Sequence, residues 1–87
     1  MKELKDTIEM MTSESYKERF KAEYLQTKIR YQKLHNMLVK YEAGTLPFTP
    51  TCPVDLLRMQ KSHMGMYLNK LEVRAEIEGI SLEGCHE

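Results

Sequence analysis

Residues 15–21, with the sequence SYKERFK, place one aromatic ring beside several cations. Tyr16 stands next to Lys17 and close to Arg19 and Lys21. If a helix begins here, its free backbone N–H groups add further positive character. An aromatic ring and cations at a helix start can stack on a nucleobase and pair with phosphates. A charged, solvated helix face on which Tyr16 is a packing residue is the alternative, and the residue types leave both interpretations open.

No catalytic or metal-binding pattern accompanies this stretch. His35, His63 and His86 are far apart in the sequence, and neither a His-Glu-x-x-His nor a Cys-x-x-Cys motif is present. Cys52 and Cys85 fall in a connector and in the tail. The carboxylates alternate with Lys and Arg at helical intervals, which is typical of solvated helix surface. We therefore predict a protein that is not an enzyme and has no metal and no cofactor.

Length and charge narrow the possibilities further. The chain has 87 residues, enough for one domain. Its 13 basic and 13 acidic residues balance, which argues against a DNA-coating role because that depends on a strong cationic field. No stretch approaches the ~20 apolar residues that span a bilayer, and the charged N-terminus does not resemble a secretory leader. We expect a soluble protein of a reducing cytoplasm, without DNA or membrane as a partner.

The chain divides into three parts. Residues 1–14 predict a short N-terminal helix or extension. Ser15 followed three residues later by Glu18 has the form of a capping box and predicts a helix start. A single helix running on from residue 2 is the alternative. Residues 15–80 predict a helical hairpin, and residues 81–87 a flexible tail.

Two long helices make up the predicted hairpin, over about residues 15–42 and 53–78. Gly44 suits the end of the first helix, and Pro53 suits the N1 position of the second. The connector between them contains Pro and Thr and cannot be helical. Matched helix lengths and one short connector predict an all-α fold, an antiparallel helical hairpin.

Both long helices are apolar on two opposite faces, although a helix in a small monomer needs only one buried face. The second faces comprise Ala22, Leu25, Ile29 and Val39 in the first helix, and Met59, Met66, Val73, Ile77 and Ile80 in the second. We therefore predict that the hairpin completes its core either with copies of itself, as a homo-oligomeric helical bundle, or with a partner. Gly65 interrupts the second helix, and it is either a point of close approach or a tolerated surface glycine.

Three segments resemble a known family: SYKERFKAEY from residue 15, TKIRYQKL from residue 27 and LEVRAEIEGI from residue 71. They are similar to phage anti-CBASS cyclic-nucleotide sponges, small helical-hairpin proteins, and in particular to the form carried by T-even phages. The resemblance covers nearly the whole chain. It implies a compact homohexamer in the host cytoplasm that binds cyclic dinucleotides such as cyclic GMP-AMP, and in some members cyclic trinucleotides. It also implies immune evasion by sequestration without cleavage, so that the CBASS effector stays inactive.

The resemblance also implies roles for individual residues. Tyr16 would stack on a base, while Lys28, or else Arg30, would meet a phosphate. Gln60 and Lys61 would belong to a trinucleotide site. The predicted ligand-binding residues are Tyr16, Lys17, Arg19, Lys28, Arg30, Gln60 and Lys61.

Two other functions remain open at this stage. A small helical adaptor or inhibitor would dock its second apolar face on a host protein. A structural or nucleic-acid-associated coiled coil is the third possibility, against which the balanced charge and the Pro-containing connector weigh.

Overall fold

The computed structural model describes residues 3–82, and all regular elements in that range are helical. A 3₁₀ turn, Leu4–Thr7, continues into the one-turn helix α1, Ile8–Met11. Two long helices follow, α2 (Tyr16–Ala43) and α3 (Val54–Glu78). The predicted tail falls largely outside the described residues, as do Cys85 and His86.

The break before α2 is made by local hydrogen bonds. The Ser15 side chain accepts a hydrogen bond from the Glu18 backbone N–H at 3.4 Å, which is the first half of a capping box. The Ser15 backbone N–H instead donates to Ser13 Oγ at 3.1 Å. These contacts turn the chain between α1 and α2, so a single helix from residue 2 does not form. At the other end of α2, Gly44 takes a left-handed conformation with φ 77°, which glycine adopts without steric penalty.

The start of α3 differs by one residue from the prediction. Pro53 has ψ 137° and is therefore extended, so it is the N-cap residue and Val54 is the first helical residue. The Pro53 carbonyl accepts hydrogen bonds from the backbone N–H groups of Leu56 and Leu57, at 3.1 and 3.2 Å. The predicted placement of Pro53 at N1 is therefore wrong by one residue.

Helices α2 and α3 pack as an antiparallel hairpin. Residues early in α2 meet residues late in α3, as the Tyr24 hydroxyl shows by donating to Glu72 at 2.7 Å. Near the connector, Glu42 meets Arg58 at 3.5 Å. The buried core between and around the helices consists of Phe20, Tyr24, Leu25, Ile29, Leu68, Leu71, Ala75 and Ile80.

The second apolar face of α2 is covered within the same chain, contrary to the expectation from its periodicity. In the N-terminal segment, residues 3–12, the 3₁₀ turn and α1 lie against the backbone of α2 and not against that of α3, so α2 lies between the two. Ala22, Leu25 and Ile29 are almost fully buried. On the same side of the helix, Gln26 Nε2 donates to Thr7 Oγ1 at 2.9 Å. The prediction that another chain must cover this face is therefore wrong for most of α2, although Val39 is exposed.

Helix α3 does keep an exposed apolar face. We call Met59, Met66, Val73 and Ile77 the apolar stripe of α3, and all four are exposed, with Ile77 at 79%. Ile80, predicted to continue the stripe, is instead 6% exposed and belongs to the core. The chain turns at Gly79, with φ 68°, and this turn brings Ile80 inward.

Candidate functional site

A cleft of about 720 Å³ opens between α2 and α3 in the half of the hairpin nearer the connector. Its walls combine one aromatic ring, polar groups and a short apolar rim. The lining residues are Tyr31, His35, Leu38, Val39, Glu42, Arg58, Lys61, Ser62, Gly65, Met66, Asn69 and Lys70. We call it the cationic cleft, because three of these residues, Arg58, Lys61 and Lys70, are basic and one, Glu42, is acidic.

The cations all come from α3, and they flank the strip of that helix that lines the cleft, with Lys61 on one side of it and Lys70 on the other. Arg58 and Lys61 are one turn apart, and Lys70 follows farther along the helix. Glu42 is the one carboxylate among the lining residues that the structure describes. Such an excess of fixed positive charge in a concave surface concentrates anions near it. The cleft is thus suited to a small anionic ligand.

Tyr31 forms one wall of the cationic cleft through a close contact with Gly65. A Cβ atom at position 65 would lie 3.3 Å from Tyr31 Cε1, tighter than ordinary van der Waals contact. Glycine therefore allows the tyrosine ring to approach the backbone of α3, which favours close approach over a merely tolerated glycine. The Lys61 ammonium stands 5.8 Å from the centre of the same ring. The Tyr31 ring can therefore stack on a planar group of a ligand while the Lys61 ammonium binds an anionic group beside it.

The Arg58 guanidinium is shared by two carboxylates. Nη2 lies 3.5 Å from Glu42 Oε1, and Nη1 donates to Asp55 Oδ1 at 3.3 Å. All three side chains are well exposed, and exposed ion pairs of this kind are weak. Arg58 is consequently available to a stronger anion.

Tyr16 lies at the opposite end of the hairpin, beside the last turn of α3. Its hydroxyl donates to Glu78 Oε1 at 2.7 Å and accepts from Arg74 Nη2 at 2.8 Å. The Arg74 guanidinium also stands over the ring of Phe20, 4.9 Å from its centre. We call Tyr16, Phe20, Arg74 and Glu78 the Tyr16 cluster. It joins the open end of the hairpin, and about half of the Tyr16 surface is exposed to solvent.

Hydrogen bonding shifts two pKa values in the Tyr16 cluster. Donation to Glu78 raises the pKa of Tyr16 above its usual 10.0, because the bond requires the phenol proton. The same bond lowers the pKa of Glu78 below its usual 4.5, because it favours the carboxylate. The cluster is therefore complete at neutral pH.

The cations predicted on α2 do not converge in one chain. Residues 11 apart share a helix face, so Lys17 lies on the face of Lys28 and Arg19 on that of Arg30. Lys17 and Arg19 are two residues apart and therefore point to different sides. Arg19 is further engaged, since its Nη1 donates to the Ser13 carbonyl at 2.7 Å. Within the described chain these four cations form no common pocket with Tyr16.

The predicted pair on α3 is also divided. Lys61 lines the cationic cleft, whereas Gln60 belongs to a shallower, more apolar groove of about 430 Å³. Gln60 Nε2 lies 3.8 Å from Met64 Sδ in that groove.

Tyr16 is remote from the cationic cleft. It lies 15 residues before Tyr31, about 22 Å along α2 at 1.5 Å per residue. Of the seven predicted residues, the structure therefore places only Lys61 in the cationic cleft.

Sequence reasoning did not select Tyr31, His35, Arg58 or Lys70 as site residues. A signal was present in α3, where polar and small residues recur every three or four positions beside the buried face. That strip is formed by Arg58, Lys61, Ser62, Gly65 and Asn69. A glycine within a cationic strip points to a contact made by the backbone, and here the contact is the ring of Tyr31.

The family model of Sequestin matches residues 14–77, which cover α2, the connector and nearly all of α3. The chain belongs to the Sequestin family. This membership fits the resemblance to anti-CBASS sponges seen in the sequence. The matched range contains both the Tyr16 position and the cationic cleft. The chain matches no curated protein and no solved structure.

Between residues 3 and 82, no group of three or more His, Cys, Asp and Glu side chains is arranged to hold a metal ion. In the same range, no helix has the length and apolar character needed to cross a bilayer.

Proposed function

We propose that this member of the Sequestin family is a phage immune-evasion protein that sequesters a cyclic oligonucleotide second messenger in the host cytoplasm. The family name and the resemblance to anti-CBASS sponges support sequestration. The single observation that carries the proposal is the cationic cleft, in which Tyr31 stands beside Arg58 and Lys61. Its proposed ligands are cyclic dinucleotides of the cyclic GMP-AMP type, with cyclic trinucleotides as a second class.

The chemistry of the cleft corresponds to that of such a ligand. A cyclic dinucleotide carries two phosphate charges and two flat bases. Arg58 offers a planar set of N–H donors to a phosphate, and Lys61 adds a point charge one turn away. The ring of Tyr31 gives a base a surface on which to stack. Only one carboxylate of the described lining, Glu42, opposes an anion.

Sequestration requires binding and no chemical step. A ligand held by the protein is withdrawn from the host effector by mass action, and the messenger stays intact. We therefore propose that the protein is not an enzyme, and that CBASS effector activation is prevented by depletion of free messenger.

We further propose that the working form is a homo-oligomer, with a hexamer as the specific expectation. The apolar stripe of α3 supports this, because four exposed apolar side chains follow one line along the helix. In such an assembly the exposed ring of Tyr16 can face a neighbouring subunit. Lys17, Lys28 and Arg30 can then meet a ligand from different chains, which one chain alone does not permit.

Calorimetric titration with cyclic GMP-AMP, followed by chromatography of the recovered nucleotide, tests the proposal. We expect binding and intact ligand. Lys61→Gln should weaken binding by about tenfold, because a phosphate contact is lost, while Lys33→Gln on an exposed part of α2 should leave affinity unchanged. A panel of cyclic trinucleotides and a linear pyrophosphate-linked dinucleotide shows which linkage is preferred. Absence of binding across the panel would refute the proposal.

A second function is favoured by one observation, the apolar groove of α3. Leu56, Met59 and Tyr67 are exposed there, and adaptable methionines suit the binding of another helix. A small adaptor or inhibitor of a host protein would use this surface. It would remain a monomer or dimer when pure, bind no nucleotide and retain one partner from a cell extract, whereas the sponge would bind nucleotide without any partner.

A further inference from the structure

Glu42 occupies an unusual position in a cleft that otherwise attracts anions. It lies in the last turn of α2, at the connector end of the cationic cleft, and its carboxylate is 3.5 Å from the Arg58 guanidinium. The side chain is 70% exposed, so water can solvate the carboxylate if it moves away. Glu42 is thus held loosely on the strongest phosphate-binding group of the cleft.

Arg58 keeps a second carboxylate when Glu42 leaves. Asp55 accepts a hydrogen bond from Nη1, whereas Glu42 faces Nη2. Asp55 is not among the residues that line the cleft. Asp55 contacts the guanidinium through Nη1 from outside the cleft, so the Nη2 edge is the part that an incoming anion would meet.

We propose that Glu42 is an internal competitor of the ligand: it occupies Arg58 when the cleft is empty and is exchanged for a phosphate group when the ligand binds. This inference rests on the proposed function and adds how that site selects its ligand. The class selected is nucleotides that bring a phosphate to the Arg58 end while a base reaches Tyr31.

A phosphate can displace Glu42 for two physical reasons. Its oxygens match the fork of the guanidinium and can accept two parallel hydrogen bonds. Lys61 lies three residues from Arg58, about 4.5 Å along the axis of α3, so a phosphate gains a second cation that Glu42 does not contact. A ligand with a base but no phosphate gains neither and leaves Glu42 in place.

A double-mutant cycle on the full chain tests the exchange. The variants are Glu42→Gln, Arg58→Gln and the two combined, each titrated with cyclic GMP-AMP and, separately, with inorganic pyrophosphate. Removing Glu42 should tighten binding about fivefold where Arg58 is present and less than about twofold where it is absent. Glu9→Gln on α1 makes the same change of charge on the far side of α2 and should have no effect. Thermal melts establish that every variant is folded.

The outcomes separate this inference from the proposed function. An equal gain with and without Arg58, or no gain at all, would overturn the exchange even if cyclic GMP-AMP binds every variant. If cyclic GMP-AMP does not bind but pyrophosphate shows the Arg58-dependent gain, the exchange stands and the choice of messenger is wrong. If neither probe binds any variant, both proposals are wrong.

Discussion

The ring of Tyr31 lies against the backbone of Gly65, on the neighbouring helix, with room for a hydrogen but not comfortably for a methyl group. This contact shapes the wall of the cationic cleft and holds the aromatic ring next to Lys61. It explains the glycine in the middle of α3, because a Cβ atom at this position would crowd the ring. A substitution at Gly65 should therefore affect ligand binding and the unfolding free energy to different extents.

Gly65→Ala should change binding more than stability. Alanine gains about 1 kcal/mol of helix propensity, and displacement of the Tyr31 ring opposes that gain. The unfolding free energy should therefore change by less than about 1 kcal/mol in urea titrations. Affinity for cyclic GMP-AMP should fall about fivefold, because a displaced ring enters the cleft. Gly79→Ala is the control for glycine loss: its φ of 68° makes it destabilising, while the cleft is untouched. Unchanged affinity in Gly65→Ala would show that Tyr31 does not contact the ligand.

Tyr16→Phe and Tyr16→Ala should separate two roles of this residue. Phenylalanine keeps the ring but loses the hydroxyl that joins Arg74 and Glu78, so melting should occur a few degrees lower at most. If the ring stacks on a base, Tyr16→Phe should keep its affinity for cyclic GMP-AMP and Tyr16→Ala should lose it. Sedimentation velocity checks that the oligomer is the same in both variants. Equal affinity in all three proteins would make Tyr16 a purely structural residue.

The Tyr16 cluster should make stability depend on pH at both extremes. Glu78 has a pKa lowered below 4.5, so its contribution is present above that value and is lost as the pH falls through the lowered pKa. Tyr16 has a pKa raised above 10.0, so its contribution is present below that value and is lost as the pH rises through the raised pKa. The melting-temperature difference between the wild-type protein and Tyr16→Phe should therefore be constant near neutrality and shrink at both ends. A difference that grows in acid would contradict this assignment.

Thr7→Val tests how the N-terminal segment is attached to α2. Thr7 is fully buried, and its hydroxyl donates to the Leu4 carbonyl at 2.7 Å and accepts from Gln26. Valine leaves the Gln26 amide without this acceptor, which should reduce the unfolding free energy by about 1–3 kcal/mol. Adding Gln26→Leu should recover part of the loss, because it removes the amide that has lost its acceptor, while the Leu4 carbonyl still lacks the Thr7 hydroxyl. Urea titration of the two single variants and the double variant measures the coupling, and simple additivity would mean that the hydrogen bond contributes little.

Val73→Lys tests whether copies of the chain associate through the apolar stripe of α3. Val73 is half exposed, so a lysine there should change the stability of a single chain by no more than about 0.5 kcal/mol. In an interface the same charge would be buried without a partner, and the oligomer should dissociate. Thr49→Lys in the connector is the matched control. A sedimentation coefficient that Val73→Lys leaves unchanged would assign the oligomer contact to another surface.

Periodicity and capping residues were sufficient to predict the hairpin. Ser15, Gly44 and Gly79 each end or begin a helix for a local reason that can be read from the chain. What covers a face cannot be read in this way, because Ala22, Leu25 and Ile29 are apolar whether their cover is a second subunit or residues 3–12. The sequence pattern showed that the face is buried, and only the three-dimensional packing showed by what.

The site was harder to predict for a similar reason. Tyr16 was predicted as a site residue because Lys17 and Arg19 are close to it in the sequence. Residues that are adjacent in a helix point in different directions, so closeness in the sequence did not make a common site. Tyr31 and Lys61 are thirty residues apart and meet across the hairpin. Such a pair can be predicted only when the alignment of α2 against α3 is known. Gly65 was the one residue of the cleft whose type alone indicated a close contact, because a glycine within a helix can allow another group to approach the backbone.

The position of α2 between the N-terminal segment and α3 has a consequence for how the protein comes together. Each newly made chain can complete its own interior and shape its own cleft before it meets a second copy. Dilution should then separate folded subunits instead of unfolding them. Protein made at low abundance would already carry the cleft, and later association would add neighbours to a surface that is already in place.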